Sequence, residues 1–276
     1  LRKLLLNIFL KLKENFVAII RKSILEFDKW EDYKNAIRAL IDRGIYRELV
    51  EIHNRDGGMF HRMHGSMLGV VGYNRFLPWH RSYLIKFETE IRSVSNDKDF
   101  AIPYWDWTRD TVEQLKNFKE IVGTSTLPRR INLNTNNHTN FFSETSLIDL
   151  INRNAGDYFD FSKALEDGPH NRGHNLIGGA MSTMRSPADP IFWSHHAMVD
   201  KVWADWQALP GNKNKMANLD EVDNDFKLDP WDLEFNIKNV NDIQNLGENG
   251  RYTYSYKIAN KILEPMPLRP DSPSSL

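Results

Sequence analysis

Apolar side chains along this chain recur every three to four residues in well-separated stretches, the period of helices that bury one face. Asp28-Lys29-Trp30-Glu31 reads as a capping box, and Tyr33, Ile37, Leu40 and Ile41 follow at helical spacing until Gly44 ends the run. A second helix is predicted directly after it, with Ile45, Leu49, Ile52 and His53 on one stripe, before Asp56-Gly57-Gly58 breaks the pattern. Glycine punctuates residues 57–75. Pro78, in Phe76-Leu77-Pro78-Trp79, then suits a helix start, and His80, Tyr83, Leu84, Phe87 and Ile91 fall on the apolar side that follows. Another helix carries His170 and His174. A last one is predicted from Pro190 to about Gln207, with Phe192, His196, Val199, Trp203 and Trp206 on one stripe.

Between these helices the pattern changes character. Ala101-Ile102-Pro103-Tyr104-Trp105-Asp106-Trp107 is too rich in Pro and Trp for a regular helix and reads as a packed extended segment. Residues 123–146 are rich in Thr, Asn and Ser and predict a long loop, which contains the sequon Asn137-His138-Thr139. Alternation over Arg251–Tyr256 predicts a short edge strand. The first 27 residues mix apolar and basic positions too closely for a membrane span and predict an amphipathic segment packed on the domain. The fold class is therefore mainly α, with long loops and a short peripheral β element, and the length favours one domain over 1–276.

Composition narrows the chemistry. A net charge of -1 gives no global field to hold nucleic acid and leaves small neutral partners easier to accommodate. Cysteine is absent, so disulfides, thiolate metal sites, Fe–S clusters and cysteine nucleophiles are excluded together. The chain opens on Leu1, and no small-residue cleavage site follows an apolar run, so export and cytoplasmic residence are both compatible with it.

Histidine carries the candidate chemistry. His170 and His174 stand at i and i+4, one turn apart on one helical face, where two imidazoles can chelate one ion. His53, His80 and His196 each lie on the apolar stripe of a separate predicted helix. A buried imidazole needs hydrogen-bond partners or a metal, and four helices presenting one together point to metal. Imidazole without thiolate or a dense carboxylate set suits copper or zinc, and no Glu-x-x-His pair of the di-iron kind is present.

Four strings then carry a family resemblance: Phe76-Leu77-Pro78-Trp79-His80-Arg81, Pro103-Tyr104-Trp105-Asp106-Trp107, His170-Asn171-Arg172-Gly173-His174, and the run from Asp189 to Trp203. In these the chain resembles the tyrosinase, catechol oxidase and molluscan haemocyanin group of type 3 copper proteins, and most of all the compact prokaryotic tyrosinases. The resemblance implies a four-helix bundle holding two copper ions, each on three histidines, with dioxygen binding between them. Copper A would belong to residues 28–110 and copper B to residues 160–210. Copper B would take His170, His174 and His196, with His195 facing away. Copper A would take His53 and His80. The family often places its third histidine nine residues before the match to His80, where this chain has Val71. His64, followed by Gly65 as in some relatives, is the expected substitute; His61 and a two-histidine copper A are the alternatives. Some relatives tie a copper A histidine to a cysteine, and without one packing alone is expected to hold it here.

The resemblance also assigns roles around the metals. Relatives that hydroxylate monophenols carry an Asn after the first copper B histidine and a Glu upstream that hold a water as base toward the phenol; Asn171 and Glu166 are the matches. Phe192 resembles the family's aromatic over the site, Met184 is expected at the substrate entrance, and Asp200 is expected to orient a ligand or cap a neighbouring segment. The implied activity is hydroxylation of small phenols to o-diphenols and their oxidation to o-quinones by dioxygen, with a copper-delivery partner compatible with it. A catechol oxidase without hydroxylase activity, a haemocyanin-like oxygen carrier and a degenerate copper site are the alternatives.

Overall fold

The computed structural model describes residues 19–110, 112–131, 133, 141–212, 228–231 and 252–255, and its architecture is mainly helical. The sequon at 137–139 and most of the N-terminal amphipathic segment lie outside the described residues. Helix α1 spans Trp30–Asp42 and buries Tyr33, Ala36, Ile37 and Leu40. The expected capping box does not form. Asp28 lies one position too early to cap, Lys29 occupies the N-cap, and Asp28 pairs with Lys22 at 3.3 Å instead. Gly44 takes a left-handed φ of 78° that closes α1 and opens α2, Ile45–Asn54. The buried face of α2 is Tyr46, Leu49, Val50 and His53, so the predicted stripe is rotated slightly but keeps His53 inside.

The predicted helix start at Pro78 is overturned. After a single turn at Gly65–Leu68 (α3) the chain reverses at Gly69, and one helix, α4, runs unbroken over Val70–Val94 with Pro78 inside it. Proline removes the N–H that would satisfy the carbonyl of Asn74. That carbonyl is supplied from elsewhere: the Tyr158 hydroxyl donates to it at 3.1 Å. The helix therefore continues because a residue 84 positions away completes its ladder.

Helices α5 (Glu144–Arg153) and α6 (Tyr158–Leu165) follow, each capped by a side chain, Ser143 accepting from the Ser146 N–H and Asp157 from the Asp160 N–H. The long loop thus ends at Ser143 rather than 146. A single π turn, Glu166–His170, leads into α7 (Asn171–Ile177), and α8 spans Ile191–Gln207. All of α8 except Ala204 is buried, which makes it the central helix of the core. Trp193 on α8 stacks on Phe87 of α4 with ring centroids 3.8 Å apart. The 101–107 segment is extended and buried as expected; its Trp105 N–H donates to the Ser194 carbonyl of α8 at 2.9 Å.

Strand β2, Tyr252–Tyr254, forms where alternation predicts it, and pairs in parallel with β1, Ile19–Arg21. Strand β1 lies in the stretch read as an amphipathic segment; Arg21 fixes it by reaching into the core. There its guanidinium binds both oxygens of Glu88 at 2.9 and 3.0 Å, and Asp200 at 2.8 Å. Asp200 also takes hydrogen bonds from Arg81 and Tyr254, so it ties α4, α8, β1 and β2 together. These bonds join Asp200 to neighbouring segments, the second of the two roles expected of it. Burial alone would raise its carboxyl, but Arg81 and Arg21 hold it below the usual carboxylate range. Asp200→Ala takes one carboxylate from each of two buried guanidinium groups, leaving Arg21 on Glu88 and Arg81 on Gln207, and a loss of about 3–5 kcal/mol is expected, read as a lower guanidinium midpoint at unchanged m. Among the described residues no helix is long and apolar enough to cross a membrane.

Candidate metal centre

Three elements deliver the first set of imidazoles. His53 comes from the last turn of α2, His80 from the middle of α4, and His64 from the extended residue that opens α3; their ring nitrogens lie within 4.8 Å of one another. A residue nine positions before His80 on a continuous helix is rotated by about half a turn relative to it, so Val71 sits on the wrong face of α4. The reversal at Gly69 folds α3 back against α4 and carries His64 to that place. The approach is close enough that a Cβ at Gly72 would run into the His64 carbonyl. His61 packs instead on Trp79, with centroids 5.6 Å apart, and its Nδ1 lies 3.3 Å from Asp229.

Each of the three rings is held by its Nδ1. His53 donates to the Met184 carbonyl at 2.7 Å, His80 to the Phe76 carbonyl at 2.8 Å, and His64 to Glu166 Oε1 at 3.3 Å. Acceptor partners require the proton on Nδ1, which leaves the lone pair on Nε2. All three Nε2 atoms are buried without a protein partner.

The second set repeats this logic. His170 Nδ1 donates to the Glu166 carbonyl at 3.2 Å and His174 Nδ1 to the Met181 carbonyl at 2.6 Å. The Nε2 of His170 is again buried and unpartnered, and the Nε2 atoms of His174 and His196 face each other at 3.1 Å. Two nitrogens each about 2 Å from one ion stand about this far apart. The ring nitrogens of His170, His174 and His195 also lie within 4.8 Å of one another. Both nitrogens of His195 are engaged, however: Nε2 donates to the His170 carbonyl at 3.0 Å and Nδ1 accepts from Trp107 Nε1 at 3.1 Å. His195 therefore has no lone pair to spare, and it lies so tightly on α7 that only glycine fits at Gly173.

The two sets adjoin, with the rings of His80 and His196 stacked at 4.4 Å and those of His64 and His170 at 5.9 Å. Burial, reinforced by neighbouring imidazoles, pushes His53, His80, His170 and His196 well below the ordinary imidazole value, and burial brings His174 to about 4. At neutral pH these rings are uncharged.

A cavity of about 310 Å³ opens onto these rings, its wall including His53, His64, His170, His174, Asn171 and Met184. Asn171 and Met184 are part of this wall, and Phe192 and Glu166 are not. Phe192 is fully buried, packed on the rings of His196 at 4.1 Å and His53 at 5.2 Å, and is not part of the cavity wall. Glu166 is also fully buried and off the wall; it accepts from Gly65 N–H at 3.0 Å and from Ser66 N–H and Oγ at 3.3 Å, in addition to His64. Its carboxylate is committed to the turn that carries His64, which is therefore held by hydrogen bonds and not by packing alone. Met181, whose carbonyl steadies His174, gave no sequence signal, because a main-chain acceptor has no residue type.

The common central domain of tyrosinase matches residues 43–147 and 119–209 of this chain. The chain belongs to the tyrosinase family. The tyrosinase of Streptomyces glaucescens is 29% identical over 56% of this chain and 72% of its own length. Hemocyanin 1 of Megathura crenulata is 33% identical over 69% of this chain, which spans only 6% of that much longer protein. In fold, this tyrosinase-family chain is similar to the polyphenol oxidase of Grenache grapevine (Vitis vinifera), with a TM-score of 0.55 at 20% identity, over 87% of this chain and 85% of that one. The tyrosinase family implies a dicopper centre, and this member presents its histidines in two triads.

Proposed function

We propose that this chain is a dicopper phenol oxidase: it oxidises o-diphenols to o-quinones with dioxygen and hydroxylates small monophenols to o-diphenols on the way. The observation that carries this reading is the set of six Nε2 atoms, from His53, His64, His80, His170, His174 and His196. Four of them are buried without a partner, and the other two face each other beneath one cavity. Nitrogen donors without thiolate or carboxylate among them fit copper. When bound, a copper pair supplies dioxygen activation and electron transfer.

The protein's own contribution follows from its residues. Burial keeps the imidazoles of His53, His80, His170, His174 and His196 neutral and their lone pairs available. The Nδ1–H bonds to Met184, Phe76, Glu166 and Met181 fix ring orientation and raise ligand basicity. The cavity is at the small end of ligand sites and admits one phenolic ring. On its wall the Asn171 amide can hold a substrate hydroxyl, or a water beside it, and Met184 and Met67 provide apolar contact. Two o-diphenols and one dioxygen give two o-quinones and two waters; one monophenol and one dioxygen give one o-quinone and one water.

The burial of Glu166 away from the cavity favours a second, narrower reading, a catechol oxidase, because it removes the carboxylate expected to deprotonate an incoming monophenol. Oxygen uptake by the copper-loaded protein discriminates. Uptake with both a catechol and a reductant-primed monophenol is expected. Uptake with the catechol alone establishes the narrower activity, and a stable oxygenated form that turns over neither phenol overturns both in favour of an oxygen carrier.

A further inference from the structure

The geometry points to Glu166 as the positioning residue that holds the two histidine triads in register, an inference that rests on the dicopper reading above. One residue serves both triads by different atoms. Its main-chain carbonyl accepts from His170 at 3.2 Å, and its carboxylate accepts from His64 at 3.3 Å.

The arrangement has a local cause. Glu166 opens the turn Glu166–His170, where the chain kinks at Gly168 (φ -90°, ψ -110°) before α7 begins. A fully buried carboxylate is costly unless its acceptor positions are filled. Here Gly65, Ser66 and His64 fill them with four hydrogen bonds, about the number a carboxylate can take. The cost of burying Glu166 is offset only when residues 64–66 are ordered. His64 precedes and Gly65 and Ser66 begin the four-residue turn Gly65–Leu68, bounded by the reversal at Gly69 and too short to be stable alone. Among the described residues, nothing but Glu166 accepts from His64 Nδ1. The carboxylate thus holds in place the histidine that stands in for Val71.

The division of labour makes the effect of substitution asymmetric. Removing the carboxylate frees His64, while the carbonyl stays to hold His170. Copper titration against a competing chelator, with near-UV circular dichroism as the check on folding, is the test. Wild type is expected to hold two coppers. Glu166→Gln, nearly the same shape, turns an NH2 toward one of the donors; it and Glu166→Ala are expected to keep one copper at wild-type affinity and to bind the other about 10–100-fold more weakly. Glu166→Asp is expected to fall between. Should the alanine variant fail to fold, the glutamine variant carries the test alone. Two coppers at undiminished affinity in the variants, or equal weakening of both, overturns the inference. So does retention of both coppers and catechol oxidation with monophenol hydroxylation lost, which would make Glu166 a base. A wild-type chain that holds fewer than two coppers overturns the dicopper reading itself.

Discussion

His64→Ala is expected to leave one copper per chain after loading and dialysis and to abolish most catechol oxidation, whereas His61→Ala keeps both coppers. Residues that merely orient a metal ligand cost about 10–100-fold in metal affinity when replaced, so loss of one of three ligands should exceed that range. The contrast between the two histidines is the informative part. They are three residues apart and almost equally buried, at 4% and 5% exposure, so neither burial nor local composition separates them. Geometry does. His61 is packed on Trp79 beside Asp229, and His64 brings a ring nitrogen within 4.8 Å of those of His53 and His80. Metal analysis settles the matter: two coppers in His64→Ala would remove His64 from the ligand set, and one in His61→Ala would bring His61 into it.

A second large effect concerns the metal-free chain, which is expected to lose stability steeply below pH 6.5. His53, His80, His170, His195 and His196 are fully buried, and burial lowers each well below the ordinary imidazole value. Where the folded value lies below the unfolded one, stability is fully present above the unfolded pKa, about 6.5. As pH falls below it the unfolded chain takes up protons that the folded chain refuses. Each such histidine removes about 1.4 kcal/mol per pH unit, and five remove about 7 kcal/mol per unit. His174, partly exposed at the cavity wall and lowered to about 4, adds less. Against a total stability of about 5–15 kcal/mol, the metal-free protein should unfold within about one to two pH units. Guanidinium midpoints at pH 7.5, 6.5 and 5.5 measure this directly; a midpoint unchanged between 6.5 and 5.5 would contradict neutral burial of the rings.

The sequence reveals the helical class and the extended 101–107 segment, and it marks histidines on buried stripes, because periodicity and residue type are local properties. It misleads where the deciding contact is distant. Nothing near Pro78 announces that Tyr158 will satisfy the carbonyl that proline frees, so a helix interior looks like a helix start. The stripe on α8 favours His196, but nearly all of that helix is buried, and burial does not separate His196 from His195. What separates them is the hydrogen bonding of each ring. Glu166 shows the same limit: the family resemblance assigns it as a base, and only the fold-back of residues 64–66 shows the hydrogen bonds its oxygens accept.

The contact between Trp107 and His195 has a further consequence. Indole can only donate, so His195 must carry its proton on Nε2, opposite to the Nδ1-protonated form imposed on His53, His64, His80, His170 and His174 by their acceptors. Two imidazole tautomers therefore coexist in one buried cluster. Nitrogen chemical shifts would sort the ring that belongs to the scaffold from those whose lone pairs are free for a metal before any copper is added.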